Sequence, residues 1–293
     1  MIYNILLGLG LLLFLGFGLA WYMSSKVIIK PREIRKEDWQ KYALWPQAIT
    51  FSASDGLKLA GVFIQGSNGV TIILLHGYGR SKEQLLPQAK FLNKAGYNIF
   101  MFDFRGSGES EGKYITFGQR EQRDLAGAID YLKSRKEVNM DKIGLLGFSM
   151  GGAVAIMKSG DLPQIKAILI SSVYANFKTV IWQSFQRYLK GIPFFPIGYF
   201  TLWVIKYRTG CYLPTISPIK YIHKLKARPL MIIHSAYDKR IPIEHALEFF
   251  RKAPWLKEFW LVRNAEHEDI YTITKDQYEE KVLNFYKTYL KES

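Results

Sequence analysis

The chain predicts an α/β fold built on a mostly parallel, doubly wound sheet. Short continuous apolar runs recur at residues 70–75, 98–102, 143–148, 167–170, 230–233 and 259–262. Runs of that length suit strands buried on both faces. Helical patterns separate them, and strands that alternate with helices pair in parallel through crossover connections. With 293 residues, of which 48% are hydrophobic, the chain can bury the large core such a sheet needs.

The first 25 residues carry no charged side chain. As a helix, residues 2–23 would rise about 33 Å, enough for a hydrocarbon core of about 30 Å. Trp21 and Tyr22 fall where an interfacial aromatic belt is expected. Gly18-Leu19-Ala20 has the small-x-small form of a signal-peptide cleavage site, but no basic segment precedes the apolar run. A retained single-pass anchor over residues 1–25 is the better reading. Lys26, Lys30, Arg32, Arg35, Lys36 and Lys41 follow it, against Glu33, Glu37 and Asp38. The positive-inside rule then places the rest of the chain on the cytoplasmic face. Residues 26–48 read as a basic linker, so a chain beginning at Lys26 is expected to be soluble and active.

Alternation over residues 58–64 predicts a half-buried antiparallel strand, and Asn68-Gly69 a turn after it. Helices are expected over residues 84–95, closed by Gly96, and over 119–133, where Leu125, Ala128, Ile129 and Leu132 share one stripe. Further helices are expected at 153–158, at 243–252 after Pro242, and at 276–290. The segment from Ser171 to Pro214 breaks the rhythm. It is too long for a strand-to-strand loop and carries Tyr174, Phe177, Trp182, Phe185, Tyr188, Phe194, Phe195, Tyr199, Phe200, Trp203 and Tyr207. It reads as a helical lid, with most of these rings expected to pack between its helices.

The net charge of +15 comes from Lys and Arg scattered through the chain after residue 25, with no dense block, no zinc-ligand spacing and no RNA-binding signature. Nucleic acid is therefore the weakest partner reading. Cys211 is the only cysteine, which excludes an intramolecular disulfide and a cysteine-based metal site. It is expected to be a small buried hydrophobe.

Gly147-Phe148-Ser149-Met150-Gly151 matches G-x-S-x-G, with an apolar strand before it and a small-residue helix start after it. A nucleophilic serine needs this form. The sharp turn lifts its hydroxyl above the sheet, and the helix start favours developing negative charge. The serine also needs a base and an acid to orient that base. Asp238 and His267 follow the apolar runs at 230–233 and 259–262, so both fall on the sheet edge where Ser149 emerges. Ser149 is the expected nucleophile, His267 its base and Asp238 the orienting acid. The loop His76-Gly77-Tyr78-Gly79 follows the run at 70–75, and the backbone N–H groups of Tyr78 and Met150 are the expected oxyanion hole. His76 is read as structural, His234 as a satisfied core group, and His223 and His245 as solvated. Asp103 to Gly108 lacks the spacing of a phosphate loop and reads as a turn held by Asp103 and Arg105.

Together, His76-Gly77-Tyr78-Gly79, Asp103 to Ser110, the Ser149 turn, Ser217-Pro218, Tyr237-Asp238 and His267 resemble the α/β-hydrolase superfamily. The nearest subgroup is the one called serine aminopeptidase-like or hydrolase 4, with monoacylglycerol-lipase-like relatives. This resemblance implies an eight-stranded sheet over residues 49–293, a cap at about 172–216 between the sixth and seventh strands, and ester, thioester or amide hydrolysis without cofactor or metal. His234-Ser235-Ala236 departs from the glycine usual near the start of the Asp238 turn. Anchor, basic linker and aromatic lid together favour an acyl or lipid-like ester presented at a membrane. A serine peptidase and a catalytically inactive, membrane-tethered interaction module are the alternatives.

Overall fold

The computed structural model describes residues 2–32, 39–226 and 228–290. Arg35 and Lys36 of the basic stretch, with Glu33, Glu37 and Asp38, lie outside the described residues. The strands are β1 (Gln47–Ser52), β2 (Lys58–Ile64), β3 (Thr71–Leu75), β4 (Asn98–Phe102), β5 (Ile143–Phe148), β6 (Ile165–Ser171), β7 (Leu230–Ser235) and β8 (Glu258–Val262), and the six apolar runs form β3 to β8. They make one eight-stranded sheet in the order β1-β2-β4-β3-β5-β6-β7-β8. The β1–β2 and β2–β4 pairs are antiparallel and the rest parallel. β1 starts inside the stretch expected to be a linker. It is an edge strand with one buried residue, Phe51, so no apolar run announces it.

The helices are α1 (Ile2–Ile28), α2 (Leu86–Lys94), α3 (Gln122–Lys133), α4 (Met150–Ser159), α5 (Phe177–Tyr188), α6 (Ile197–Thr209), α7 (Glu244–Lys252), α8 (Ile270–Ile273) and α9 (Lys275–Leu290). Successive side chains of a strand point to opposite faces, and β3 divides its core accordingly. Ile73 and Leu75 belong to one core cluster with Leu125 and Ile129 of α3, Val154 of α4 and Phe249 of α7. Ile72 and Leu74 pack with Leu86 and Phe91 near α2 and with Val282 and Tyr286 of α9. The sheet is thus covered on both sides, as its uninterrupted apolar strands require. The chain order reverses around β3, so the loops after β3 and β5 open side by side at the carboxyl edge, where open α/β sheets bind ligands.

α5 and α6 lie in the connection between β6 and β7 and form the cap. Tyr174, Phe177, Phe185 and Phe194 are buried in it. Trp182, Tyr188, Phe195, Tyr199, Trp203 and Tyr207 are exposed. All of them but Tyr188 also meet another ring of the cap, so the expected packing within the lid is there and leaves one edge of these rings to the surface. Phe200, Trp203 and Tyr207 form a stacked row along α6, and Phe17 of α1 meets Phe200 at 6.1 Å between ring centres.

α1 is long and apolar enough to cross a membrane, and its most apolar stretch makes no buried contact with the rest of the protein. Its last turns behave differently. Ala20, Ser24 and Ile28, four residues apart and so on one helical face, are fully buried, and this end of the helix packs against α6. Arg208 of α6 donates to Ser24 Oγ at 2.6 Å and Ser25 Oγ at 2.7 Å, with its guanidinium 4.5 Å from the Trp21 ring centre. Beyond the helix, Arg32 donates to the carbonyls of Ser110 and Gly112 at 2.6 and 2.7 Å. The described part of the expected linker is therefore bound to the folded domain.

His223 is exposed as expected, and Cys211 and His234 are buried. His245 is not solvated: it is 5% exposed, because α7 turns it toward the chain entering the cap. Its Nδ1 accepts from the Ala175 N–H at 3.1 Å, while Nε2 lies 3.2 Å from Thr179 Oγ1. Only a neutral ring can accept that bond. Burial, with the nearby His234, holds the pKa down to about 4. The unfolded chain then binds more protons between pH 6.5 and 4, so stability falls as pH drops through that window. The expected loss is about 3 kcal/mol for this residue, at about 1.4 kcal/mol per pH unit. Urea unfolding at pH 7 and pH 4 checks it: His245→Gln should lose less stability on acidification than the native chain, and an equal loss would assign the effect elsewhere.

Candidate active site

Ser149 sits between β5 and α4 with φ 52° and ψ −114°, a left-handed conformation that costs about 1–3 kcal/mol for a residue with a Cβ. The surrounding glycines are required by contact. A Cβ on Gly151 would lie 2.2 Å from the Leu75 carbonyl oxygen, and one on Gly147 would lie 2.6 Å from the Gly152 Cα. β5, α4 and the end of β3 therefore close on one another, and the strained turn is held out at the sheet edge.

The three residues expected to act together meet there. The Ser149 hydroxyl lies 3.1 Å from His267 Nε2, and His267 Nδ1 lies 2.6 Å from Asp238 Oδ2. Asp238 Oδ1 accepts the backbone N–H groups of Arg240 and Ile241, both at 2.8 Å. Burial raises the Asp238 pKa, but its bond to His267 and the Ile241 N–H outweigh it and hold the carboxyl below the ordinary range. A charged Asp238 fixes the proton on Nδ1, which leaves Nε2 free to accept from the serine. Asp238 and His267 are 4% and 6% exposed, so water competes little for these bonds.

The Tyr78 loop reaches the same spot. Gly77 N–H donates to Gln84 Oε1 at 2.8 Å, which pins the loop, and Met150 opens α4 directly after Ser149. Among the described residues, the N–H groups of Tyr78 and Met150 take no acceptor from the protein. His76 has the structural role read for it: Nε2 accepts from Phe104 N–H at 2.9 Å and Nδ1 donates to the Gly77 carbonyl at 2.8 Å. Burial lowers its pKa, consistent with a neutral ring. Asp103 accepts from the backbone N–H and side chain of Lys82 at 2.7 and 2.9 Å, and Arg105 binds Asp124 and Asp55. A Cβ on Gly108 would collide with the Asp103 carboxylate at 2.2 Å, so the glycine makes room for the carboxylate at the turn.

Above Ser149 lies a cavity of about 630 Å³, within the range of small-molecule sites. The cap supplies Phe177, Leu202 and Ile205, and α1 supplies Tyr22, Met23 and Val27. A chain beginning at Lys26 would lack two of those side chains, so the cavity is not complete without the end of α1. At the mouth, Glu268 accepts from Arg80 at 2.7 Å and Arg240 at 2.6 Å.

Residues 84–293 match the model of the prolyl oligopeptidase family. The chain belongs to this family. Its likeness to known proteins extends further. It is 32% identical over 248 residues to the protein called YfhR of Escherichia coli O157:H7, covering 82% of this chain and 80% of that one. It is 33% identical over 112 residues to the thiohydrolase aneE of Aspergillus aculeatus, covering 37% of this chain and 35% of that one. Among solved structures, the esterase Pf2001 of Pyrococcus furiosus superposes with a TM-score of 0.75 at 26% identity, covering 90% of this chain and 98% of that one. The fold is that of the α/β hydrolases, and the chain is a hydrolase of that superfamily. These likenesses do not reach the serine aminopeptidase-like subgroup.

Within this prolyl oligopeptidase family member, sequence reasoning missed Tyr22, Met23 and Val27 in the cavity wall, and Arg208, which holds α1 against the cap. Arg208 lies 184 residues from Ser24, and no local pattern marks so distant a pair. The serines at 24 and 25, which end the apolar stretch of the helix, were the available signal.

Proposed function

We propose that this protein is a membrane-anchored serine hydrolase that cleaves carboxylic ester or thioester bonds of acyl, lipid-like substrates through an acyl-enzyme. The observation that carries the reading is the hydrogen-bonded line Ser149–His267–Asp238 at the base of an apolar cavity. His267 Nε2 takes the Ser149 proton as Oγ attacks the substrate carbonyl carbon. The N–H groups of Tyr78 and Met150 receive the oxyanion, a type of contact worth about 10²–10³ in rate. His267 then hands its proton to the departing alcohol or thiol, and the acyl group stays on Ser149. Water, deprotonated by the same nitrogen, releases the acid and restores the serine. A thioester substrate has added support from the named activity of aneE.

A peptidase is the second reading, favoured by the family match. The charge of the cavity counts against one that binds a free peptide N-terminus. Glu268, the carboxylate in the cavity wall, is already held by two arginines, while Lys26, Lys30 and Arg187 also line the wall. A fluorophosphonate probe tests the enzymatic reading directly. The expected result is a covalent adduct on the peptide containing Ser149. An unlabelled, folded protein would favour the inactive interaction module.

Membrane attachment is supported by α1 and by the aromatic surface that runs from Phe17 onto α6. Lys26 in the last turn of α1, with Lys30, Arg32 and Lys41 after it, favours a cytoplasmic catalytic domain. The protein should stay with membranes through high-salt and alkaline washes and leave them in detergent. A mature chain starting at Trp21 would mean cleavage after Ala20, and the anchor would have to be given up.

A further inference from the structure

We infer that the carboxyl end of α1 belongs to the substrate site, and that Lys26 and Lys30 there select acyl substrates carrying a phosphate or carboxylate. The inference rests on the serine hydrolase reading above and adds to it the charge of the substrate. Both lysines line the cavity that opens over Ser149. Lys30 lies against the oxyanion loop: a Cβ on Gly79 would stand 3.1 Å from Lys30 Cγ, and Lys30 Nζ is 5.1 Å from the Tyr78 ring centre. The Tyr78 hydroxyl donates to the Val27 carbonyl at 2.5 Å, which ties that loop to the last turn of α1. The helix end and the oxyanion loop are thus one construction, and a charge on one is felt by a group bound at the other.

Among the described residues, the charge around this end of the cavity is unbalanced. Among the described residues, neither lysine forms an ion pair with a carboxylate. Burial and the neighbouring Lys26 charge pull the Lys30 pKa below the ordinary lysine value, the response of a cation facing another cation in a partly dry site. Arg187 adds a further positive group to the wall, and Glu268 is occupied by Arg80 and Arg240. An anion at this place would relieve the repulsion and gain charge-assisted hydrogen bonds, while the acyl chain lies in the apolar part of the cavity. A neutral ester gains only the second.

The test uses the full chain in neutral detergent micelles, so that attraction to an anionic membrane plays no part. Three substrates share one acyl chain: 1-oleoylglycerol, 1-oleoylglycerol 3-phosphate and the oleoyl thioester of coenzyme A. The expected result is a kcat/KM at least about tenfold higher for a phosphate-bearing substrate than for the neutral ester. Lys26→Gln with Lys30→Gln should erase that ratio, and Lys26→Arg with Lys30→Arg should restore it. Preference for the glycerol phosphate identifies a lipid headgroup as the source of the charge, and preference for the thioester a soluble carrier. Lys94→Gln with Lys136→Gln removes the same charge from exposed positions at the opposite edge of the sheet and should leave the ratio as it was. A ratio near one in the native chain, or one lowered equally by the distant pair, overturns the inference. Failure to turn over any of the three would instead count against the hydrolase reading.

Discussion

Replacing Ser149 by alanine is expected to lower kcat/KM on a p-nitrophenyl ester by about 10³-fold or more while the chain folds normally. The two halves of this expectation have different causes. Activity is lost because the atom that forms the acyl bond is gone, and no other hydroxyl is hydrogen-bonded to His267 Nε2 among the described residues. Stability is kept because alanine retains the Cβ and the turn opens toward the cavity, so no packed volume is emptied. Ser149→Gly sharpens the point. It relaxes a backbone at φ 52° whose strain is about 1–3 kcal/mol, against a glycine entropy cost of about 0.5–1 kcal/mol. The inactive glycine variant should therefore be at least as stable as the native protein in urea. Near-native hydrolysis by either variant would mean that another group is the nucleophile.

The parts of the molecule legible in the sequence are those that local patterns encode. Strands buried on both faces must be apolar throughout, so β3 to β8 were visible as runs. A serine on a strand-to-helix turn needs glycines on either side, and Asp238 and His267 each follow a strand, so the positions of all three could be read without seeing them meet. β1 was missed because an edge strand with one buried residue, Phe51, has no run to find. His245 was misjudged because α7 is polar in composition, and what buries the ring is Ala175, 70 residues away. The end of α1 was misjudged for the same reason. Its apolar length fits a membrane, but the stripe Ala20, Ser24, Ile28 is matched to α6, and contacts between distant segments leave no periodic trace in either one.

Asp238→Asn is expected to leave the fold intact and lower kcat by about 10³–10⁴-fold. The hydrogen bonds of the native carboxylate say why an isosteric change does so much. Oδ1 accepts two backbone N–H groups, from Arg240 and Ile241, and a carbonyl-type oxygen must stay there. In the variant the amide oxygen takes that place, so the NH₂ group points at His267 Nδ1. Two donors cannot face each other, so Nδ1 must give up its hydrogen and accept. The remaining ring hydrogen then sits on Nε2 and points at Ser149 Oγ. Nε2 in that tautomer has no lone pair for the serine proton, and the imidazolium of the transition state loses its counter-charge. The backbone bonds that position residue 238 survive, so urea unfolding should change little beside the fall in rate. The same variant should react with a fluorophosphonate far more slowly than the native chain, because that reaction also needs the serine proton removed. If Asp238→Asn kept its rate in both assays, the acid that orients His267 would have to be another residue.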